Sequence, residues 1–243
     1  MLTPPEIARS LLAAGESKAR LPFGKMLLLA ILAGAYIALA GVGATAAAVT
    51  VESGSLAKLL SACVFPAGLS MVILAGSELF TGNCLMVMAL LERRITPAQL
   101  LRNWLTVYLG NAMGGAAVAA LAVYSHTASL FGDGLARSMV SIAESKAALG
   151  FGDAFLRGVL CNFLVCLAVW MAAASKRAEG KVIALFFPIL LFVLCGYEHC
   201  IANLYYLPAG AFAAAEYGME TTLTLAGCLK NLAAVTLGNL VGG

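Results

Sequence analysis

The chain has 243 residues, of which 62% are hydrophobic and 11% charged, and its mean hydropathy is +0.95. A soluble domain of this composition would lack the polar residues to cover its surface, so the chain is predicted to be an integral membrane protein. The net charge of +3 is too small to suggest a nucleic-acid partner. The seven cysteines include no C-x-x-C pair, and we expect them to be small buried residues without a metal or a cofactor.

The first element is predicted to be an amphipathic interfacial helix within residues 1–24. Thr3 is a suitable N-cap, and Glu6 stands at the capping-box position three residues later. Apolar residues between Ile7 and Ala14 recur on one face, which is typical of a helix lying at the membrane surface.

Six apolar stretches follow, and each is long enough to cross ~30 Å of hydrocarbon as a helix. The second and fifth are too long for one plain helix, and each contains a polar, glycine-bearing interruption. Irregular backbone at membrane depth is tolerated where protein or a water-filled cavity satisfies it, so both stretches are predicted to be broken helices. The stretches cover residues 27–49, 56–91, 101–124, 151–174, 182–212 and 222–243.

Two sequence frames occur twice. Gly76–Asn83 and Gly196–Asn203 share G-x-E-x-x-x-x-N at an offset of 120 residues. Residues 107–115 and 235–243 share V-x-L-G-N-x-x-G-G at an offset of 128 residues. Because each copy contains an odd number of spans, the second copy must be inverted relative to the first. Paired interruptions of this kind are typical of transport proteins.

The fold class is therefore an all-α membrane protein with two inverted three-helix repeats and with spans two and five broken. In the third span, nine apolar residues follow the paired glycines, whereas the sixth span stops at them. The sixth helix is thus expected to continue in the natural chain. The predicted organisation is the interfacial helix, a first repeat at 25–124, an extracytoplasmic connecting loop at 125–150 and a second repeat at 151–243.

Loop charges predict that both termini face the cytoplasm. Ten of the 15 Lys and Arg residues fall on the side that carries the N-terminal segment, and five fall on the other side. Positive residues are in excess on the cytoplasmic side of membrane proteins.

The repeated carboxylates, Glu78 and Glu198, are predicted to be structural, each accepting backbone N–H groups of its broken helix, with proton or ion handling as the alternative. Asn83 and Asn203 are interpreted as brackets for the same irregular backbone, since ionisable and polar groups at this depth need partners. Asn111 and Asn239 are expected to tie helix to helix.

The functional candidates are the positions that the two copies do not share. His199 has Leu79 as its counterpart, and an ionisable group in an irregular intramembrane segment is typical of a transport path. Thr81 offers a hydroxyl from the other break. Lys146 precedes the fourth span, where a lone cation at a pore mouth would attract anions.

The motifs GSELFTGN at 76–83, RGVLCNFLVCLAVWM at 157–171, GYEHCIANLYYLP at 196–208 and VTLGNLVGG at 235–243 resemble the formate/nitrite transporter family of formate, nitrite and hydrosulfide channels. The resemblance covers the chain from the first span onward. It implies an aquaporin-like bundle of six transmembrane helices, a homopentamer with one pore per subunit, and a location in the bacterial cytoplasmic (inner) membrane.

The resemblance also assigns roles to residues. Thr81 and His199 correspond to the family's central pair, Lys146 to its vestibule lysine, and Glu198 and Asn162 to neighbours of the path. Phe65, Leu69 and Phe192 fall at the family's cytoplasmic-side constriction, and Leu79, Phe80 and Val165 at the outer one. The structural loop residues are Gly76, Glu78, Asn83, Gly196 and Asn203.

The function implied is proton-coupled passage of a small monovalent anion, nitrite or formate first, with hydrosulfide or lactate and acetate as alternatives. A water or neutral-solute channel is a second hypothesis, suggested by the aquaporin-like fold, and it differs in needing no titrating group. A membrane enzyme that uses Glu198 and His199 as an acid–base pair is a third. It lacks a metal motif or a nucleotide loop, so we expect no enzyme.

Overall fold

The computed structural model describes all 243 residues as helices joined by short connections. The helices are α1 (Pro4–Ala19), α2 (Phe23–Ala48), α3 (Gly54–Ala75), α4 (Phe80–Leu91), α5 (Pro97–Tyr124), α6 (Gly134–Ala148), α7 (Phe151–Ala173), α8 (Ala178–Leu194), α9 (Cys200–Glu216) and α10 (Leu225–Gly242). Of these, α2, α3, α5, α7 and α10 have the length and hydropathy to cross a membrane.

The chain contains two copies of one helical order, α1–α5 and α6–α10. The second span is α3 and α4 around the first break, and the fifth is α8 and α9 around the second. The structure thus has the six spans and the two broken helices that the sequence predicts.

The segment 125–150 is not a plain loop, which corrects the sequence prediction. Helix α6 occupies most of it and stands in the second copy where α1 stands in the first. Leu135, Met139 and Ala143 recur at helical spacing and are fully buried or nearly so, which explains why this stretch is helical. Lys146 therefore lies in the last turn of a helix.

Small residues allow the first and third spans of each copy to pack closely. A Cβ atom at Gly114 would overlap the carbonyl oxygen of Ile31, and one at Gly242 would overlap that of Val159. Close backbone approach through glycine is a common way to associate helices in a membrane. The same glycine-to-carbonyl contact occurs in α2–α5 and in α7–α10, so the two copies share this helix packing in detail.

Helix α1 begins with the predicted cap. The Glu6 carboxylate accepts the backbone N–H of Thr3 at 2.7 Å, and this bond lowers the pKa of Glu6. Helix α1 packs on α4, and α6 packs on α9. Helices α1 and α6 therefore each rest against one of the two broken spans.

Candidate functional site at the two helix breaks

Each break begins at a glycine in the left-handed region. Gly76 has φ +75° and Gly196 has φ +69°. This conformation is strained for residues with a side chain, so glycine ends the half-helix without that cost. The chain then runs extended for a few residues before the next half-helix begins at Phe80 or at Cys200.

One asparagine from the third span satisfies the backbone of the first break. The Asn111 side-chain oxygen accepts the N–H of Phe80 at 3.0 Å. Its amide nitrogen donates to the carbonyl oxygens of Ala30 at 2.8 Å and Glu78 at 2.9 Å. Asn111 thus ties helix to helix, as predicted, and it also brackets the break.

Asn239 does the same at the second break. Its oxygen accepts the N–H of Cys200 at 2.8 Å, and its amide donates to the carbonyl oxygens of Gly158 at 2.8 Å and Glu198 at 2.9 Å. The prediction that Asn83 and Asn203 bracket the broken backbone is wrong, because that role belongs to the asparagines of the third and sixth spans.

The carboxylate of Glu78 is 5% exposed and binds side chains. It accepts the Lys18 ammonium of α1 at 2.7 Å and the amide of Asn83 at 2.8 Å. Asn83 also donates to Asn103 at 2.8 Å. The predicted acceptance of backbone N–H groups by this carboxylate is therefore incorrect: a cation from α1 neutralises it.

The second carboxylate repeats this network. Lys146 of α6 lies 2.9 and 3.1 Å from the two oxygens of Glu198, which is also 5% exposed. Asn203 donates to Glu198 at 2.7 Å and to Asn231 at 2.7 Å. A buried carboxylate needs a partner of this kind. Lys146 is therefore an ion-paired residue and not a free charge.

Thr81 and His199 meet across the two repeats. The Thr81 hydroxyl oxygen lies 2.9 Å from Nε2 of His199, and the two residues are 0% and 3% exposed. One comes from the first break and the other from the second, so the pair lies where the copies face each other. The structure brings together these two residues that sequence reasoning singled out as unshared.

The cap of α9 fixes the tautomer of His199. Its Nδ1 accepts the backbone N–H of Ala202 at 3.1 Å. Because a backbone N–H can only donate, Nδ1 carries a lone pair, and the neutral ring must hold its proton on Nε2. His199 therefore donates to Thr81, and the Thr81 hydroxyl proton is free for another acceptor.

Two water-accessible cavities approach this pair from opposite sides. The α1-side cavity has a volume of about 880 Å³ and reaches Glu78 and Leu79. The α6-side cavity has a volume of about 440 Å³ and reaches Glu198 and His199. A space of about 10 Å³ lies between them. Its lining includes Leu69, Leu79, Val165, Phe65, Phe192 and His199.

The predicted sides of the constrictions need correction. Phe65 and Phe192 line the α6-side cavity, and their ring centroids are 5.7 Å apart in an edge-to-face contact. Leu79 lines the α1-side cavity, as does Leu69. On the predicted orientation, the phenylalanine pair is therefore extracytoplasmic and Leu79 cytoplasmic, which reverses the expectation for these three residues.

The remaining predicted residues lie beside the path. Phe80 packs edge-to-face against Tyr108 at 5.1 Å and lines none of the three spaces described above. The Asn162 amide donates to the carbonyl oxygens of Thr81 at 3.3 Å and Asn239 at 2.8 Å. Asn162 thus holds the first turn of α4, which contains Thr81, in place from α7.

Glu198 and His199 do not form an acid–base pair. The carboxylate binds Lys146 and Asn203, whereas the imidazole binds Thr81 and the α9 backbone. No group of three or more His, Cys, Asp or Glu side chains is arranged to hold a metal ion.

Among the cations that line the cavities, sequence reasoning missed Lys18, Lys58 and Arg157. Lys18 is the counterpart of Lys146, and both lie in the repeated frame E-S-K-A at residues 16–19 and 144–147, an offset of 128 residues. This repeat could have identified Lys18 as the counterpart of Lys146 from the sequence alone. Lys58 and Arg157 line the α6-side cavity, and no repeated frame marks them.

The comparisons with known proteins agree with this architecture. The family model described as formate/nitrite transporter matches residues 5–243. The chain belongs to the formate/nitrite transporter family. It is 37% identical over 260 residues to a probable formate transporter of Methanothermobacter thermautotrophicus, and this match covers 99% of the chain and 92% of that protein.

Solved structures of the family share the fold. An FNT family ion channel superimposes with a TM-score of 0.87 at 31% identity, covering 98% of this chain and 94% of that one. A pentameric formate channel with formate bound has a TM-score of 0.80 at 32% identity, covering 90% and 92%. These relatives are transporters and channels, in agreement with the expectation of a non-enzymatic protein.

Proposed function

We propose that this chain forms a homopentameric channel that passes formate, with nitrite as the alternative, together with a proton past Thr81 and His199. The observation that carries the proposal is the 2.9 Å contact between these two side chains, because the His199 ring also lines the space between the two cavities. Its hydrogen-bond donors come from opposite repeats, so an anion that entered between them would be held from both sides.

Desolvation explains why a proton should accompany the anion. Moving a monovalent anion from water into an apolar constriction costs several kcal/mol even after relaxation. The neutral acid avoids most of that free energy. The two cavities would concentrate the anion, because their ionisable lining contains more cations than carboxylates.

The tautomer of His199 limits how the proton moves. A ring that holds its proton on Nε2 would become an imidazolate by giving it up, and an imidazolium would lose the bond from the Ala202 N–H. In this mechanism His199 and Thr81 therefore orient the anion by hydrogen bonds. The proton comes from water in the cavity, and the neutral acid crosses the constriction.

The size of the path supports the smallest substrates. The space between the cavities, about 10 Å³, is close to the smallest that can hold one water molecule. Formate and nitrite have three heavy atoms each and need the least widening of this space, whereas lactate would need more. The proposal of formate before nitrite also rests on the names of the relatives.

The test is anion-driven acidification in proteoliposomes that contain a pH dye. His199→Phe is expected to abolish pH-dependent formate uptake, because it removes the Nε2–H donor. His126→Gln is the matched control, since His126 is the chain's other histidine and lies in the connection before α6. Nitrite is compared with formate in the same vesicles.

An uptake rate and pH profile that His199→Phe leaves unchanged would overturn the proposal. Uptake that is equally fast for glycerol and formate, without acidification, would favour a neutral-solute channel. The pentamer is tested separately by the mass of the purified complex in detergent, and cytoplasmic termini are tested by the protease sensitivity of tags in spheroplasts.

A further inference from the structure

The α6-side cavity contains two cations that have no acidic partner. Lys58 of α3 and Arg157 of α7 line it. Neither belongs to any of the four ion pairs of the chain, which are Lys18–Glu78, Arg94–Glu16, Lys146–Glu198 and Arg177–Glu179. The only carboxylate in the lining is Glu198, which Lys146 already neutralises.

These charges are neighbours. Lys58, Lys146, Arg157 and Glu198 all line this one cavity. The carbonyl oxygen of Arg157 accepts the N–H of Glu198 at 3.3 Å, which fixes α7 beside the second break. Both cations therefore face the same approach to the Phe65–Phe192 constriction.

Hydroxyl groups complete the lining. Ser141 and Ser145 are one helical turn apart on α6 and face the cavity, and neither side chain makes a hydrogen bond within the chain. An arginine presents a planar fork of donors that matches the edge of an oxyanion, and a hydroxyl adds a donor of variable direction.

The charge balance distinguishes divalent from monovalent anions. Three cations and one carboxylate leave the lining with two positive charges in excess. A monovalent anion neutralises half of that excess, whereas one divalent oxyanion neutralises all of it. A cavity of about 440 Å³ has room for a tetrahedral oxyanion with several waters.

We propose that Lys58 and Arg157, assisted by Ser141 and Ser145, form a binding site for a divalent oxyanion such as sulfate. The bound dianion occupies the α6-side cavity without passing, because the constriction is apolar and a dianion would have to lose the hydration of two charges. It competes there with the monovalent substrate. Binding itself is independent of the proposed function, and only the competition rests on it.

The direct test is equilibrium dialysis of radiolabelled sulfate against the purified full-length protein in detergent. Sulfate is expected to bind the wild type and to bind Lys58→Gln and Arg157→Gln about tenfold more weakly each, the scale of one lost charge-assisted contact. Arg157→Lys keeps the charge and is expected to bind with intermediate affinity. Elution as a single symmetric peak from size exclusion shows that each variant is folded.

Arg137→Gln is the control for diffuse attraction. Arg137 lines a neighbouring cavity on the same side and donates to the Gly132 carbonyl oxygen, so its loss changes the net charge equally. The proposal requires that this variant binds sulfate like the wild type. No sulfate binding to the wild type, or equal weakening by Arg137→Gln, would overturn it.

Flux measurements then test the competition. Sulfate is expected to slow formate entry into wild-type proteoliposomes, compared with gluconate at the same ionic strength, and to have little effect on Arg157→Gln. If the wild type binds sulfate but carries no formate, the proposed function fails and the binding site stands. If formate flux is normal and sulfate neither binds nor slows it, the site fails alone.

Discussion

At the first break, Leu79 and Thr81 occupy the positions that His199 and Ile201 occupy at the second, 120 residues further along the chain. Around them the partners are the same: a left-handed glycine, a Glu–Lys–Asn network and a bracketing asparagine. What the breaks share satisfies buried backbone and charge. The unshared residues meet beside the path, since Thr81 contacts His199 and the His199 ring lines the space between the cavities.

The cavities differ in the same manner. Leu29 and Arg157 are equivalent positions at an offset of 128 residues, and each carbonyl oxygen accepts the N–H of the glutamate in its own break. The leucine lines the α1-side cavity and the arginine lines the α6-side one. Duplication therefore preserves the backbone contact while the side chain is free to differ.

Removing the bracketing asparagines should have the largest effect on stability. Asn111→Ala and Asn239→Ala each delete three hydrogen bonds and leave buried backbone groups unpaired, so each should lower the free energy of unfolding by more than about 3 kcal/mol. The measurement is the thermal midpoint in detergent, with Ser125→Ala as an exposed control. A large loss for one variant and none for the other would contradict a shared scaffold.

Neutralising the two buried glutamates should lower the free energy of unfolding by different amounts at the two breaks. Glu198→Gln leaves Lys146 unpaired with its side chain 15% exposed and should cost about 3 kcal/mol. Glu78→Gln leaves Lys18, which is 30% exposed and closer to water, so about 1 to 2 kcal/mol is expected. The double variant Glu198→Gln/Lys146→Gln should recover part of the loss in the same unfolding assay. An equal loss for both single variants would show that exposure does not set the difference.

A smaller and pH-dependent effect is expected where α6 holds the connection to α10. The Glu144 carboxylate accepts the N–H of Thr222 at 2.7 Å and the hydroxyl of Thr221 at 2.9 Å. The pKa of Glu144 lies below its usual 4.5, mainly because of the hydrogen bond from the Thr222 backbone N–H. The hydroxyls of Thr221 and Thr222 lower it further. Its stabilisation is therefore present above that pH and is lost as the pH falls through the lowered value.

Hydrogen exchange of residues 217–224 measures this effect, with wild type and Glu144→Gln compared at each pH so that intrinsic rates cancel. Glu144→Gln should exchange faster at pH 7, and the difference should shrink as the pH falls below 4.5 and Glu144 becomes protonated. In the first repeat, Glu16 contacts the Arg94 side chain at 3.0 Å instead of a backbone group. Glu16→Gln should therefore change exchange less. If the difference in hydrogen exchange at residues 217–224 persisted unchanged in acid, the ionised Glu144 carboxylate would not be its cause.

The features of the fold that could be predicted from the sequence are those marked by a repeated pattern. The G-x-E-x-x-x-x-N and V-x-L-G-N frames located both breaks, the inverted repeat and the Thr81–His199 asymmetry. Helix α6 was missed because the segment 125–150 is less apolar than the spans, although E-S-K-A at 144–147 matches 16–19. A four-residue match becomes convincing only beside the longer frames.

Other features could not be predicted from one chain. The partners of Glu78 and Glu198 come from helices 60 and 52 residues away, and nothing local in the sequence specifies those distances. The sides of Phe65, Phe192 and Leu79 depend on how the half-helices are rotated around the path. The central contact of Thr81 with His199 joins residues 118 positions apart and depends on both breaks folding together.

The central claim is that the unshared residues carry transport while the shared ones hold the fold. His199→Asn tests it most directly, because asparagine can still cap α9 through the Ala202 N–H but has no ring nitrogen to meet Thr81. Formate uptake and thermal midpoint are measured on the same preparation. We predict a midpoint close to that of the wild type and a loss of pH-dependent uptake. Wild-type uptake with an unchanged pH profile would contradict the account.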